Sequence, residues 1–237
     1  MAYLDGFIAA VPSANKEAYR KHAADSVPLF REFGAVRQVE AWGDDVSRGE
    51  LTDMWRAVKA TPEEIVVFSW IEYPDKATRD AAIARMMEDP RMEEMGASMP
   101  FDSARIIYGG FAPIHDVGPR GTPGYIDGSL LPVPASAEAA YRELARVQSA
   151  VLLEYGALRV VDAWGTDVPR GELTDMWGAV DAKPDEIVVF DRIEWPSKAV
   201  RDEAWRKVFA DPRMHAVEMP FDQQRRIFGG FVPLVDA

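Results

Sequence analysis

Hydrophobic and polar positions follow the same order twice along this chain. In the first half, residues 3–11 alternate and stop at Pro12, which predicts a strand. Residues 16–33 carry apolar side chains at helical spacing and stop before Gly34, as an amphipathic helix does. A second strand is predicted over residues 36–42, and a charged loop follows it.

The remainder of the first half predicts more strands and one more helix. Asp89 precedes a proline and so marks the end of this helix, because the residue before proline disfavours helical geometry. A two-stranded hairpin is predicted at residues 52–59 and 64–73, the helix at 74–88 and a last strand at 105–111. Apart from the extra hairpin strand at 52–59, the order is βαββαβ, the ferredoxin-like plan of the α+β class.

The second half is a copy of the first. Residues 48–55 return unchanged at 170–177, and residues 99–102 return at 219–222. The offset falls from 122 positions (170 against 48) to 120 (219 against 99), so two residues are missing before the second copy of the latter motif. A solenoid repeat spans only about 20–50 residues, so this period indicates a duplicated domain.

The duplication predicts how the chain is organised. A Gly/Pro-rich run at 118–124 is expected to be a linker between a first unit, 1–117, and a second unit, 125–237. The helices of a ferredoxin-like unit cover one face of its sheet, and the other face needs a partner. We therefore expect two open sheets to close face to face within one chain, which would be a monomer acting as an intramolecular pseudo-dimer.

Composition narrows the function classes. Hydrophobic residues make up 48% of the chain and charged residues 28%, so a folded globular protein is expected. The net charge of −12 argues against binding nucleic acid or an anionic membrane. No long apolar stretch and no basic leader are visible, and cysteine is absent. These features predict a cytoplasmic protein without disulfides.

Motifs for cofactors and metals are missing from the sequence. None of the three histidines, His22, His115 and His215, has a histidine counterpart in the other half, which argues against a repeated haem or zinc site. There is no phosphate-binding glycine loop and no nucleophile elbow. We expect neither a metal site nor a cofactor.

Several motifs of each half resemble the YbaA-like bacterial family, which has no established function. They lie at residues 3–7, 68–74, 89–92, 99–102 and 109–111. Members are single units of about half this length, so this chain departs by fusing two. The resemblance implies the dimeric α+β barrel superfamily, in which two ferredoxin-like units form one barrel. That superfamily includes cofactor-independent monooxygenases, haem-degrading enzymes and isomerases, so the fold does not choose a reaction.

Strand parity predicts which side chains line the barrel lumen. In the first strand we assign Tyr3, Asp5, Phe7 and Ala9 to the lumen, and Leu4 and its alternates to the helix side. Aromatic and polar side chains on the assumed lumen faces, with the tryptophans of the repeated 48–55 run, suit a small-ligand pocket. The predicted ligand-binding residues are Tyr3, Glu40, Trp42, Trp55, Phe68, Trp70, Tyr125, Asp162, Trp164, Trp177, Phe190 and Arg192.

Repeated carboxylates are the candidates for chemistry. Crowded carboxylates raise one another's pKa and can serve as acid and base. The predicted catalytic residues are Asp5, Asp53, Glu72, Asp127, Asp175 and Glu194. Asp5 is favoured among them, because aspartate is uncommon in the middle of a strand. The alternative is that these carboxylates are separate residues, either exposed or in salt bridges with the repeated arginines.

Three functions fit these observations. We favour a protein that binds a small organic molecule in the barrel pocket, with cofactor-independent catalysis as its extension. A non-catalytic binding or sensing protein is the second, and a structural or protein-interaction module with a filled barrel is the third. Positions 7, 38 and 70 differ between the halves, being Ser129, Val160 and Arg192 in the second, which predicts unequal pockets. Trp55 has the further alternative of packing where the two halves meet.

Overall fold

The computed structural model describes residues 2–237. The first half contains β1 (Tyr3–Pro12), α1 (Lys16–Phe33), β2 (Arg37–Val46), α2 (Met54–Ala57), β3 (Glu64–Tyr73), α3 (Lys76–Glu88), α4 (Pro90–Ala97) and β4 (Ile107–Val117). The second half contains β5 (Tyr125–Pro134), α5 (Glu138–Glu154), β6 (Arg159–Asp167), α6 (Met176–Ala179), β7 (Glu186–Trp195), α7 (Lys198–Ala210) and β8 (Ile227–Asp236). Each half thus follows the βαββαβ order with short additional helices.

The strands of residues 2–237 form one closed antiparallel barrel in the order β1-β3-β2-β8-β5-β7-β6-β4. The two halves join along two seams, β2 with β8 and β4 with β6. Both seams are antiparallel ladders, so neither half leaves an open sheet edge. This confirms the α+β fold class and the closure of two ferredoxin-like units within one chain.

The extra hairpin strand predicted over 52–59 is wrong. The segment instead contains the short helix α2, which Asp53 caps by accepting a hydrogen bond from the Arg56 backbone nitrogen at 2.8 Å. The copy behaves alike, because Asp175 accepts from the Gly178 nitrogen at 2.7 Å and caps α6. An aspartate whose side chain accepts a hydrogen bond from the backbone N–H three residues later favours the start of a helix over a strand.

The lumen of the barrel is filled with apolar side chains from both halves. Leu4, Ile8 and Phe68 pack there with their counterparts Ile126, Leu130 and Phe190. The predicted parity is right for β3 and β7, whose Phe68, Trp70, Phe190 and Arg192 face inward. It is wrong for β1 and β2 and for their copies, whose predicted lumen residues face outward: Tyr3, Asp5, Glu40, Trp42, Tyr125, Asp127, Asp162 and Trp164.

The outer face of the sheet is covered by helices. Val11 and Trp42 of the first half pack with Tyr19 of α1, and Tyr73 and Ile71 pack with Ala82 of α3. The second half repeats this layer with α5 and α7. The space between this helical layer and the sheet holds the cavities described below.

Candidate functional site

Asp5 and Asp127 are held in salt bridges under the helices. Arg79 Nε on α3 donates to Asp5 Oδ1 at 2.8 Å, and Arg201 Nε on α7 donates to Asp127 Oδ1 at the same distance. Arg201 also pairs with Asp45 of the first half at 3.0 Å. An aspartate in the middle of a strand is thus explained by a buried ion pair that ties a helix to the sheet.

The repeated run at 48–55 and 170–177 joins the two halves at one end of the barrel. Thr52 Oγ1 donates to the Ala179 carbonyl at 2.6 Å, and Thr174 donates in the same way to Ala57. Trp55 Nε1 donates to the Val46 carbonyl at 3.1 Å, and the Arg48 guanidinium stacks on its ring. Trp177 is placed in the same way. Asp53 and Asp175 are helix caps within this contact.

Glu72 and Glu194 lie at the opposite end of the barrel, in a buried cluster of arginines. Arg37 Nη1 and Nη2 donate to Glu194 at 3.0 Å, which is a bond between the halves. Glu72 accepts from Arg159 Nη1 at 3.0 Å and from Arg192 Nη2 at 2.7 Å. Burial raises the pKa of Glu72, but attraction to Arg192, Arg159 and Arg37 prevails and lowers this pKa to about 2. Glu72 therefore stays ionised at neutral pH.

A cleft with mixed polar and aromatic walls lies on the outer face of the second half. One cavity of about 510 Å³ and an adjoining one of about 330 Å³ share Asp191, Trp205, Phe209 and Arg226. We call the two together the second-half cleft. Its further aromatic lining comes from Phe221 and Phe228.

Charged and polar groups meet on the sheet side of the second-half cleft. Arg226 Nε and Nη2 donate to Ser129 Oγ at 3.0 and 2.9 Å, and Ser129 Oγ in turn donates to Asp191 Oδ1. Asp162 lies beside Asp191 in the register of β6 and β7 and lines the smaller cavity. Tyr141 OH donates to Asp162 Oδ1 at 2.8 Å. Burial raises the pKa of Asp162 to about 7, and the charge of Asp191 adds to the rise.

The first half has a much smaller counterpart of about 140 Å³. Phe7, Ser69 and Ile106 line it at the positions of Ser129, Asp191 and Arg226. Met95 and Met99, from α4 and the segment after it, also line it. In the second half, the loss of two residues shortens α4 to a single 3-10 turn, Pro212–His215.

Only part of the predicted site lies at the second-half cleft. Asp127, Asp162 and Arg192 line it, whereas Glu40 lines the first-half cavity. Asp191, Arg226 and Trp205 were missed by sequence reasoning. A signal for them exists in the comparison of halves, because two opposite charges replace Ser69 and Ile106 together.

The other predicted site residues lie away from the cleft. Tyr3 and Tyr125 hydrogen-bond across the halves to Thr166 and Asp44. The rest lie in the lumen, in the glutamate–arginine cluster at one end of it, in the contact between the halves at the other end, in the helical layer or in the first-half cavity. They are Asp5, Glu40, Trp42, Asp53, Trp55, Phe68, Trp70, Glu72, Trp164, Asp175, Trp177, Phe190 and Glu194.

The described residues contain neither a candidate metal cluster nor a helix suited to crossing a membrane. In residues 2–237 no three His, Asp or Glu side chains are grouped so that they could hold a metal ion. No helix in this part of the chain is both long and apolar enough to cross a membrane.

Comparison with known proteins identifies the family. One family model matches residues 2–103 and again residues 124–223. The chain belongs to DUF1428, a family described as proteins of unknown function. Each match of this DUF1428 chain falls on one βαββαβ half. The uncharacterised protein YbaA of Escherichia coli K12 is 60% identical over 116 residues, which cover 49% of this chain and 99% of YbaA. YbaA of Shigella flexneri matches equally well.

Solved structures share the fold of this DUF1428 protein at low identity. A candidate monooxygenase from Fusobacterium nucleatum aligns with a TM-score of 0.61 and 10% identity, covering 99% of this chain and 93% of that one. A candidate monooxygenase from Lactobacillus acidophilus aligns with a TM-score of 0.58 and 12% identity, covering 100% and 95%. An anthrone oxidase-like protein aligns with a TM-score of 0.52 and 12% identity, covering 100% and 92%. At such identities the likeness shows the fold alone.

Proposed function

We propose that the protein binds a small, flat organic molecule in the second-half cleft. The observation that carries this proposal is the unequal opening of the two halves: the cavity beside Asp162 measures about 330 Å³ and adjoins one of about 510 Å³, whereas the equivalent place in the first half holds about 140 Å³. Pockets for small molecules commonly measure about 300–1,000 Å³ and combine apolar walls with a few convergent polar groups. The second-half cleft has both properties, and it replaces the lumen as the binding place.

The walls of the cleft favour a flat apolar ligand. Phe209 is 70% exposed and Phe228 is 50% exposed, although both line the cavity. The rings of Trp205 and Phe209 lie 5.3 Å apart, and Trp205 Nε1 donates to Asp127 Oδ2 at 2.8 Å, which fixes the indole. Exposed aromatic side chains clustered at a cavity are typical of a surface that a ligand covers.

The polar groups of the cleft favour a ligand with an oxygen atom at one end. Arg226 lines both cavities and can donate to a carbonyl or hydroxyl oxygen beside Asp191. The monooxygenase and anthrone oxidase-like descriptions of proteins with this fold support a small organic ligand.

A matched pair of variants tests the proposal. Phe209 on α7 and Met87 on α3 are equivalent positions in the two halves, and both are exposed. We expect the fluorescent probe 8-anilinonaphthalene-1-sulfonate to bind the native protein at one site. Phe209→Ala should weaken this binding roughly tenfold, the cost of losing one well-packed aromatic contact of about 1.4 kcal/mol. Met87→Ala should leave it unchanged.

Native mass spectrometry on protein purified gently from its host provides the second test. A retained molecule that is lost in the Phe209→Ala variant would support the proposal. Absence of probe binding together with an empty native protein would refute it. Equal losses in the Phe209 and Met87 variants would also refute it, because the probe would then bind elsewhere.

The filled lumen favours a second candidate function. Phe68 and Phe190 occupy its middle, and the ends are closed by the contact of α2 with α6 and by the arginine cluster. This is the geometry of a rigid structural or protein-interaction module. It becomes the better account if the second-half cleft binds no ligand in either test.

A further inference from the structure

The two halves hold an equivalent carboxylate in different ways. In the first half, both oxygens of Glu40 are occupied. Tyr19 OH donates to Glu40 Oε2 at 2.6 Å, and Gln38 Nε2 donates to Glu40 Oε1 at 3.0 Å. Such a carboxylate is a satisfied structural group with no oxygen left for a ligand.

In the second half the corresponding carboxylate keeps one oxygen without a partner. Tyr141 OH donates to Asp162 Oδ1, as Tyr19 does to Glu40, but Val160 stands where the first half has Gln38. Within residues 2–237, no hydrogen bond reaches Asp162 Oδ2. Among the described residues the fully buried polar atoms without a partner are Glu72 Oε2 and Arg192 Nη1, so Asp162 Oδ2 opens to the cavity that Asp162 lines, where a ligand can reach it.

The surroundings of Asp162 suit proton transfer. The charged and titratable groups that line the same cavity or contact Asp162 come from β7, α5, the turn after α7 and the segment before β8; they are Asp191, Arg192, Tyr141, His215 and Arg226. The pKa of Asp162 is raised by burial to about 7, with Asp191 adding to the rise, and a base with a pKa near ambient pH transfers protons efficiently. Arg226 Nη1 makes no hydrogen bond within the described chain, so it remains available to an oxygen atom of the ligand.

We propose that Asp162 is a general base that removes a proton from the carbon next to the carbonyl of a flat aromatic ketone, with Arg226 facing the carbonyl oxygen. This inference rests on the proposed function, because the ketone must occupy the second-half cleft. The Asp162 carboxylate takes the proton, and the C–H electron pair forms a C=C bond. The carbonyl π pair moves to oxygen, and Arg226 stabilises the resulting enolate. The proton then returns to carbon, so the step needs no oxidant.

Hydrogen–deuterium exchange of 2-indanone in D2O, followed by proton NMR, tests the proposal. We expect the protein to speed exchange of the protons next to the carbonyl over the buffer rate, with activity rising with pH through about 7. Asp162→Asn should lower the catalysed rate roughly 100-fold or more, the usual contribution of a general base. Glu40→Gln, the matched change in the first half, should leave the rate unchanged.

Two further variants keep the test decisive. Val160→Gln reproduces the first-half arrangement, covers Asp162 Oδ2 and should abolish catalysis while the carboxylate stays in place. Asp191 is a positioning residue here, and Asp191→Asn should move the midpoint of the pH profile to lower pH, since one cause of the raised Asp162 pKa is removed.

The outcomes separate the two proposals. Binding of 2-indanone without faster exchange overturns the catalytic inference and leaves the proposed function intact. Binding of the fluorescent probe without binding of 2-indanone overturns the assigned substrate class, and so this inference alone. Failure of both molecules to bind overturns the proposed function as well. Catalysis that survives both Asp162→Asn and Val160→Gln shows that another group is the base.

Discussion

The rings of Phe68 and Phe190 stack across the middle of the barrel, with centroids 4.4 Å apart and planes inclined by 15°. They hold the same position in the two halves, so each half contributes one ring to the centre of the lumen. Gly6 and Gly128 make room for them. A Cβ on Gly6 would lie 2.6 Å from Phe190, and one on Gly128 would lie 2.7 Å from Phe68.

Gly6→Ala and Gly128→Ala should therefore each destabilise the protein. Overpacking of a filled core costs about 1–3 kcal/mol, and we expect a loss of that size in the free energy of unfolding measured with urea. Gly96→Ala is the control, because a Cβ there meets nothing within 4 Å in the helix α4. It should stabilise the protein by up to about 1 kcal/mol. Equal effects at the three positions would contradict the packed lumen.

Arg159→Leu should destabilise the chain strongly. It removes one partner from the buried cluster and leaves Glu72 and Asp116 without their shared arginine. Breaking a buried ion pair costs about 3–5 kcal/mol, which urea unfolding would detect. Arg146→Ala, which breaks an exposed pair with Glu143 in α5, should change the free energy of unfolding by no more than about 0.5 kcal/mol. A small effect of Arg159→Leu would show that the cluster does not hold the halves together.

The stability of the protein should depend on pH through Asp162. Its pKa in the folded state is about 7, above the ordinary value of 3.8, so the folded state holds the proton more tightly than the unfolded chain. The stability gained in this way is fully present below about pH 4 and is lost as the pH rises through 7. The urea midpoint of the native protein should thus fall between pH 5 and pH 8 by more than that of Asp162→Asn. Parallel pH profiles of the two proteins would contradict the raised pKa.

Exchange of the loop before the Met-Pro-Phe-Asp motif should close the second-half cleft. Replacement of residues 212–218 with the longer segment 90–98 would rebuild α4 over the second half. We expect affinity for 8-anilinonaphthalene-1-sulfonate to fall roughly tenfold, equivalent to about 1.4 kcal/mol. The reciprocal exchange in the first half should leave the original site unchanged. Unaltered affinity in the first exchange would mean that the missing two residues do not open the cleft.

Light scattering should give a mass near 26.4 kDa, the mass of one chain. The barrel closes within the chain through the ladders of β2 with β8 and β4 with β6, so residues 2–237 leave no open sheet edge that could recruit a second copy. A stable two-chain species that separates only on unfolding would show instead that the strands exchange between chains.

Much of the fold could be predicted because short stretches of sequence indicate its helices and strands. Helix periodicity and the Gly34 cap predict α1, and the alternating residues that stop at Pro12 predict β1. The identical offset of many motifs predicts the duplication. The short helix α2 was missed because its four residues are too few to show a helical period, and only the cap by Asp53 marks it.

The location of the candidate site could not be predicted, because β1 and β2 are buried on both faces. A strand covered on one side by a lumen and on the other by helices shows no polar side, so parity cannot say which way it points. The direction is decided by partners distant in sequence: Arg79 draws Asp5 outward, and Phe190 needs the space above Gly6. The sequence by itself determined that the chain contains two βαββαβ units and which residues differ between them. Only tertiary packing filled the lumen and brought Asp162, Asp191 and Arg226 together at one cleft, because these three residues lie on separate segments of the chain.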